Sequence, residues 1–201
     1  MPNSIKILAI IVVLQLSLPF AAHSQELFKA KLGIKIKTGN ETRRAKAIDR
    51  IAEGDKLSIY VKPEVDSYVY IVNSNNSGAS LLNKNSADQI VKSDIGGTFP
   101  RQGSAYSPDG NDGVETFMII ISKDKNEKIV KLFSRGSISN EKWLASEQES
   151  MKMSSLLSTF EPQDDHDFGG SLRGGDPFWS KLRVSAGEAM ITQKFQFDVK
   201  K

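Results

Sequence analysis

Between Phe28 and Lys37 every second residue is apolar: Phe28, Ala30, Leu32, Ile34 and Ile36 alternate with Lys29, Lys31, Gly33, Lys35 and Lys37. A helix would scatter that pattern around its circumference. A strand gathers the apolar side chains on one face, so the segment is a strand buried on one side. The period returns at Lys56–Lys62, where Leu57, Ile59 and Val61 oppose Lys56, Ser58, Tyr60 and Lys62. It returns again where Phe195, Phe197 and Val199 alternate with Lys194, Gln196, Asp198 and Lys200. Two runs, Tyr68–Val72 and Phe117–Ile121, are apolar at consecutive positions and read as strands buried on both faces.

Shorter strands are expected at Ala79–Leu82, at Lys128–Phe133, where a helix is the alternative, and at Leu182–Ala186 before a turn near Gly187. Pro63–Asp66 is a turn, and Asn73–Gly78 has hairpin-turn composition. The basic stretch Thr38–Lys46 reads as a loop running into a short helical turn through Ile48 and Ile51, and Asn83–Gly113 as loops with brief strands. Only Glu141–Phe160 reads as a helix of length, with Met153, Leu156, Leu157 and Phe160 at helical spacing, Trp143 and Leu144 before them, and Ser139 or Asn140 as cap. Strands at short spacing with one helix predict a mainly β fold, an antiparallel, Ig-like β-sandwich. Residues 25–201 would form one domain, with a helical and Gly/Asp-rich insertion at about 137–177 ahead of the last strands.

Residues 1–24 have the plan of a secretory signal peptide. Lys6 supplies the positive end, Ile7–Phe20 the apolar stretch, and Ala22 and Ser24 the small residues ahead of a cleavage point. That stretch is shorter than the ~20 residues a bilayer span needs, so no stable membrane insertion is expected after cleavage. Cleavage would remove Lys6 and His23, leaving His166 as the single histidine and lowering the formal net charge of +3 by one. The chain has no cysteine, which excludes disulfides, thiolate metal sites and a Cys nucleophile. A signal peptide without cysteine fits the periplasm or exterior of a bacterium better than a disulfide-dense secreted domain. The isoelectric point near 9.0 comes from lysines spread along strand faces, not from a concentrated footprint, so no nucleic-acid partner is expected.

Within Gly54–Ser122 a set of short motifs stands in order. They are Gly54-Asp55 opening a strand that ends at Val61, Tyr68-Val69-Tyr70-Ile71-Val72, the pair Leu81-Leu82, Thr98-Phe99-Pro100, and Gly113-Val114-Glu115-Thr116-Phe117. This series resembles the bacterial domain of unknown function 4384. The chain has Leu81-Leu82-Asn83 where members commonly show Leu-Phe-Pro-Asn, and the insertion at 137–177 is outside the pattern. The resemblance implies an extracytoplasmic β-rich module with no established catalytic residues.

Catalysis through a Ser-His-Asp arrangement would have to use His166, flanked by Asp165 and Asp167 with Ser171 nearby. Neighbours in sequence rarely make a triad, and Gly169-Gly170-Ser171-Leu172-Arg173 misses the Gly-x-Ser-x-Gly elbow, so a solvated loop histidine is the expectation. Oxygen ligands of the kind calcium prefers occur at Asp109, Asn111 and Asp112 and at Asp164, Asp165 and Asp167. Neither group has the spacing of a calcium loop, so no metal or other cofactor is expected. Tyr60 falls on the polar face of its strand beside Lys62, and an aromatic there is a candidate contact for a partner or a sugar. Trp143, Met151 and Met153 make the helix a candidate partner-facing element, although the same stripe would serve to cover an open sheet end. The expectation is a non-enzymatic recognition module binding another envelope protein. The rivals are a carbohydrate or cell-wall binding module, with a glycan as partner, and a hydrolase working through His166.

Overall fold

In the computed structural model, which describes residues 27–101, 103–108, 113–155 and 176–200, the lysine-spaced alternation becomes β1 (Phe28–Thr38). Its apolar residues point into a sandwich between two sheets. The first sheet runs β10 (Arg183–Gly187), β1, β4 (Lys56–Pro63), β8 (Gly97–Phe99), and β2 (Glu41–Arg44) also pairs with β1. The second runs β3 (Ile48–Ala52), β11 (Met190–Lys200), β9 (Gly113–Ser122), β5 (Ser67–Asn75), β6 (Gly78–Leu81), with β7 (Ile90–Val91) beside β5. The sandwich architecture is as the periodicity predicts. Its pairing is antiparallel except for β3, which joins β11 in parallel.

Between the sheets lies the main core, where Ile34, Ile59, Val61, Ile71, Ile119 and Phe197 are wholly buried. Each such side chain contributes about 1.5–3 kcal/mol by leaving water. β5 and β9 are apolar on their other face as well, and that face needs a second cover. Tyr70, Val72, Met118 and Ile120 meet Ile129 of α1 (Glu127–Leu132), Phe133 at its C-cap and Trp143 of α2 (Asn140–Ser155). The protein therefore has three layers over its central strands.

Three local expectations need correction. Lys128–Phe133 takes the helical alternative, with Phe133 at the C-cap of α1, and is not a strand. Ile129 and Phe133, four residues apart, both turn to the sheet, and the Asn126 Oδ1 accepts the Ile129 N–H at 3.1 Å as an N-cap. The basic loop and helical turn are instead β2 and β3. β2 folds back on β1 through Gly39 and Asn40, with Gly39 at a φ of 56° that suits glycine. Ile48 and Ile51, three apart, mimic helical spacing, but a strand sends them to opposite faces: Ile51 is buried and Ile48 stands out in solvent. Arg43 then covers the outer edge of β3, pairing with Asp49 at 2.5 Å and donating to the Arg50 carbonyl at 2.8 Å.

Asn83 works as a piece of strand. β6 pairs with the far end of β5 and β7 with its start; between them the Asn83 side chain accepts from Ile71 N–H at 2.9 Å and donates to the Val69 carbonyl at 2.7 Å. Both groups are buried and would otherwise lack partners at that position.

Helix α2 buries Trp143, Glu147, Ser150 and Ser154, whereas Leu144 and Met153 of the expected stripe are exposed and Leu156, Leu157 and Phe160 lie outside the described residues. The Glu147 carboxylate meets the Lys194 ammonium at 2.7 Å, and the Ser154 hydroxyl accepts from Thr192 N–H at 3.0 Å. These polar contacts fix where the helix lies, and Trp143 supplies the apolar contact. Truncation of Trp143 to Ala should cost about 3–5 kcal/mol of unfolding free energy. Met153→Ser, on a half-exposed side chain, should stay within about 0.5 kcal/mol. Urea denaturation of the two variants measures the contrast.

Candidate functional site

The phase of β9 carries the main anomaly. Its inward residues are Glu115, Phe117, Ile119 and Ile121, so a carboxylate occupies a position where the pattern requires an apolar side chain. Glu115 is only 6% exposed. On β5 the inward series Val69, Ile71, Asn73 breaks in the same way and at the same end of the sandwich. The Asn73 amide donates to Glu115 Oε2 at 3.2 Å. Two polar residues on adjacent strands thus close one end of the core.

Beside them opens a cleft of about 110 Å³, lined by Asn73, Leu82, Tyr106, Ser107, Glu115 and Phe117. Tyr106 reaches it because its backbone forms a two-way bridge with Leu57, at 2.8 and 2.9 Å, extending the β4 side of the sandwich. The Tyr106 and Phe117 rings are 6.4 Å apart. Burial pushes the Tyr106 phenol up to about 12, so it stays protonated and able to donate. At the rim the Lys56 ammonium donates to Ser107 Oγ at 2.8 Å. One carboxylate, one carboxamide, two hydroxyls and an apolar wall can hold a small polar or cationic group. Among the described residues no group of three or more His, Asp or Glu comes together to hold a metal.

Tyr60 requires a correction. It is on the outward face of β4, as its phase demands, but is 4% exposed because the 3₁₀ turn Pro177–Lys181 lies over it. Its ring meets Phe178 at 4.9 Å and Trp179 edge-on at 5.1 Å, and its hydroxyl donates to Asp176 Oδ2 at 2.5 Å. Lys35, on the neighbouring strand, donates to the same carboxylate oxygen and sits 4.9 Å over the Tyr60 ring. Asp176 also caps the turn by accepting from Phe178 N–H at 3.0 Å. Gly96 completes the fit: a Cβ there would come within 2.9 Å of the Trp179 ring and of the Val61 carbonyl.

This cluster is chemically quiet. Burial works against the Asp176 charge, yet the hydrogen bonds from Lys35, Tyr60 and Phe178 hold its pKa below the usual carboxylate range. Burial also opposes the Lys35 charge, but Asp176 and Tyr60 keep its pKa raised. Burial and Asp176 raise Tyr60. All three move away from neutrality, the opposite of what general acid–base work needs. Their role is to clamp the 3₁₀ turn onto the first sheet.

Trp143 is also withdrawn from the surface, wholly buried against the second sheet. Met151 and Met153 are 43% and 50% exposed. Two residues apart, they stand about 200° apart around the helix and share no face. The calcium candidates Asp109, Asn111, Asp112, Asp164, Asp165 and Asp167 lie outside the described residues, as do His166 and Ser171. Sequence reading missed Glu115 and Asn73 because it ended one apolar run at Val72 and began the other at Phe117, whereas the strands extend over Ser67–Asn75 and Gly113–Ser122.

The Asp176 clamp has a consequence for pH. A carboxylate with a depressed pKa in the folded state adds stability above the unfolded value near 3.9 and loses it as pH falls through the lower folded value. Asp176→Asn should therefore be less stable than the parent at pH 7, with the gap shrinking below about pH 4. Thermal melts of both proteins across that range measure it.

No curated protein and no solved structure matches the chain. One family model does, over residues 50–125. Every residue lining the cleft falls inside that span, as do Asn83 and the turn in which the Asp55 carboxylate accepts from Thr38 Oγ1 at 2.6 Å and Ala52 N–H at 3.0 Å. That model is the domain of unknown function DUF4384, the family that the strand motifs resemble.

Proposed function

We propose that this protein is a non-enzymatic recognition module of the bacterial envelope, exported through residues 1–24 and binding another protein in the periplasm or outside the cell. The observation that supports it is the cleft itself. Two polar residues, Asn73 and Glu115, face inward at one end of a tightly packed sandwich, beside a cavity of about 110 Å³. Enclosed sites for cofactors and drug-sized substrates run to roughly 300–1,000 Å³. A volume this small suits one side chain presented by a partner.

The carbohydrate reading draws less support. It relied on Tyr60 as an exposed platform, and Tyr60 is under the 3₁₀ turn. The helix is a weaker docking element than its composition suggests, because Trp143 is spent on the core and the exposed methionines diverge.

Two measurements test the proposal. N-terminal sequencing of the protein recovered from its own cells should begin at Gln25; an intact Met1 in a cytosolic fraction would contradict export. Amine-reactive crosslinking of the tagged protein in those cells should join one protein partner through Lys56, at the rim of the cleft. Crosslinks confined to Lys142 and Lys152 would place the partner on the helix instead, and recovery of glycan alone would favour the carbohydrate reading.

A further inference from the structure

The lysines are spread along the chain, but the fold gathers them. Alternation sends Lys29, Lys31, Lys35 and Lys37 of β1 to the outer face of the first sheet, and Lys56 and Lys62 of β4 to the same face. The antiparallel register sets Lys37 directly across from Lys56, and Lys31 across from Lys62. Local acids answer two other positions: Lys35 is held by Asp176, and Glu64 lies beside Lys29, accepting from its backbone N–H at 3.2 Å. Lys56 instead donates to the neutral hydroxyl of Ser107. Like charges placed opposite each other weaken a sheet, so the Lys37–Lys56 pair is kept at a cost to the fold. Between the two lysine rows the turn Pro177–Lys181 lies over Tyr60, with Trp179 half-buried and Lys181 exposed.

We propose that this face docks on an anionic phospholipid bilayer, with Lys37, Lys56 and Lys62 on headgroup phosphates and Trp179 at headgroup level. The bilayer is additional to the partner protein proposed for the cleft, whose rim shares Lys56 with this face. Charge sets the sign of the occupant, and spacing sets its form. Lys56 and Lys62 are six residues apart on one strand, or about 20 Å. No single small anion reaches across that distance, whereas a lipid surface repeats its phosphates along all of it. Lysine serves such a surface as a point charge, with no fixed partner geometry to satisfy. Trp179 favours a bilayer over an acidic protein, since an indole seats at the boundary between headgroups and acyl chains. The contact is peripheral and electrostatic, so salt weakens it.

Flotation of the full chain with vesicles tests it. Vesicles of equal parts phosphatidylcholine and phosphatidylglycerol are compared with phosphatidylcholine alone, so that residues 1–24 act alike in both arms. The anionic vesicles should be bound at least about tenfold more tightly, and salt at about 0.5 M should abolish the difference. Trp143 is wholly buried, so a blue shift of tryptophan emission on binding reports Trp179. Lys37→Gln/Lys56→Gln/Lys62→Gln should lose the preference by about tenfold or more. Lys128→Gln/Lys131→Gln/Lys142→Gln, which removes the same charge from the helical layer, should keep it. The lipid and salt comparisons on the unaltered protein hold even where a triple variant fails to fold. Equal binding to both vesicles, binding to neither, or an equal loss in the two triple variants overturns the proposal. Binding of soluble poly-glutamate without vesicle binding also overturns it, and gives the face to an acidic protein.

Discussion

The fold depends on the double-sided burial of β5 and β9. A sheet whose central strands are apolar on both faces cannot stand in water on either side. One face is met by the first sheet, through Ile34, Ile59 and Val61 against Val69, Ile71 and Ile119. The other is met by α1 and α2, through Ile129, Phe133 and Trp143 against Tyr70, Val72 and Ile120. The helices are thus a third layer of the domain, joined to the sandwich by the same strands that make its core. Gly78 marks how closely that layer approaches: a Cβ there would fall 2.4 Å from the Ile138 carbonyl, just before α2 begins.

Long, regular strands were legible because their period repeats enough to exclude a helix. β1, β4 and β11 each show three or more inward apolar residues at spacing two. Where only two apolar residues mark a segment, the period is ambiguous. Ile48 and Ile51 fit a helix until the parallel pairing with β11 puts them on opposite faces of a strand. Ile129 and Phe133 fit a strand end until Asn126 caps them into a helix. Tyr60 fails for another reason. Its outward phase was read correctly, but its burial comes from residues 176–181, more than a hundred positions away, through a clamp of Lys35, Tyr60 and Asp176.

The same strand logic locates the site. Motif residues such as Gly54, Asp55 and Phe99 have a local structural use: a turn, a carboxylate that ties it, a ring in the core. Glu115 and Asn73 break the inward pattern, and they do so together, beside a cavity. Sequences tend to depart from their own pattern where something other than stability is being served. That departure was present in the sequence, but two isolated polar residues among apolar neighbours carry no signal until the register sets them side by side at one end of the sheet.

The central claim is that Asn73 and Glu115 are kept for recognition and not for the fold, and replacing both tests it most directly. Apolar residues of similar size in both places remove the desolvation cost of the carboxylate, so stability holds or rises where the pair anchors nothing else and falls where other groups of the fold depend on it. Urea denaturation of the double variant Asn73→Leu/Glu115→Leu should give an unfolding free energy equal to or above that of the parent, with the Lys56 crosslink lost. A fall of more than about 2 kcal/mol would contradict the account and return the pair to the structural framework.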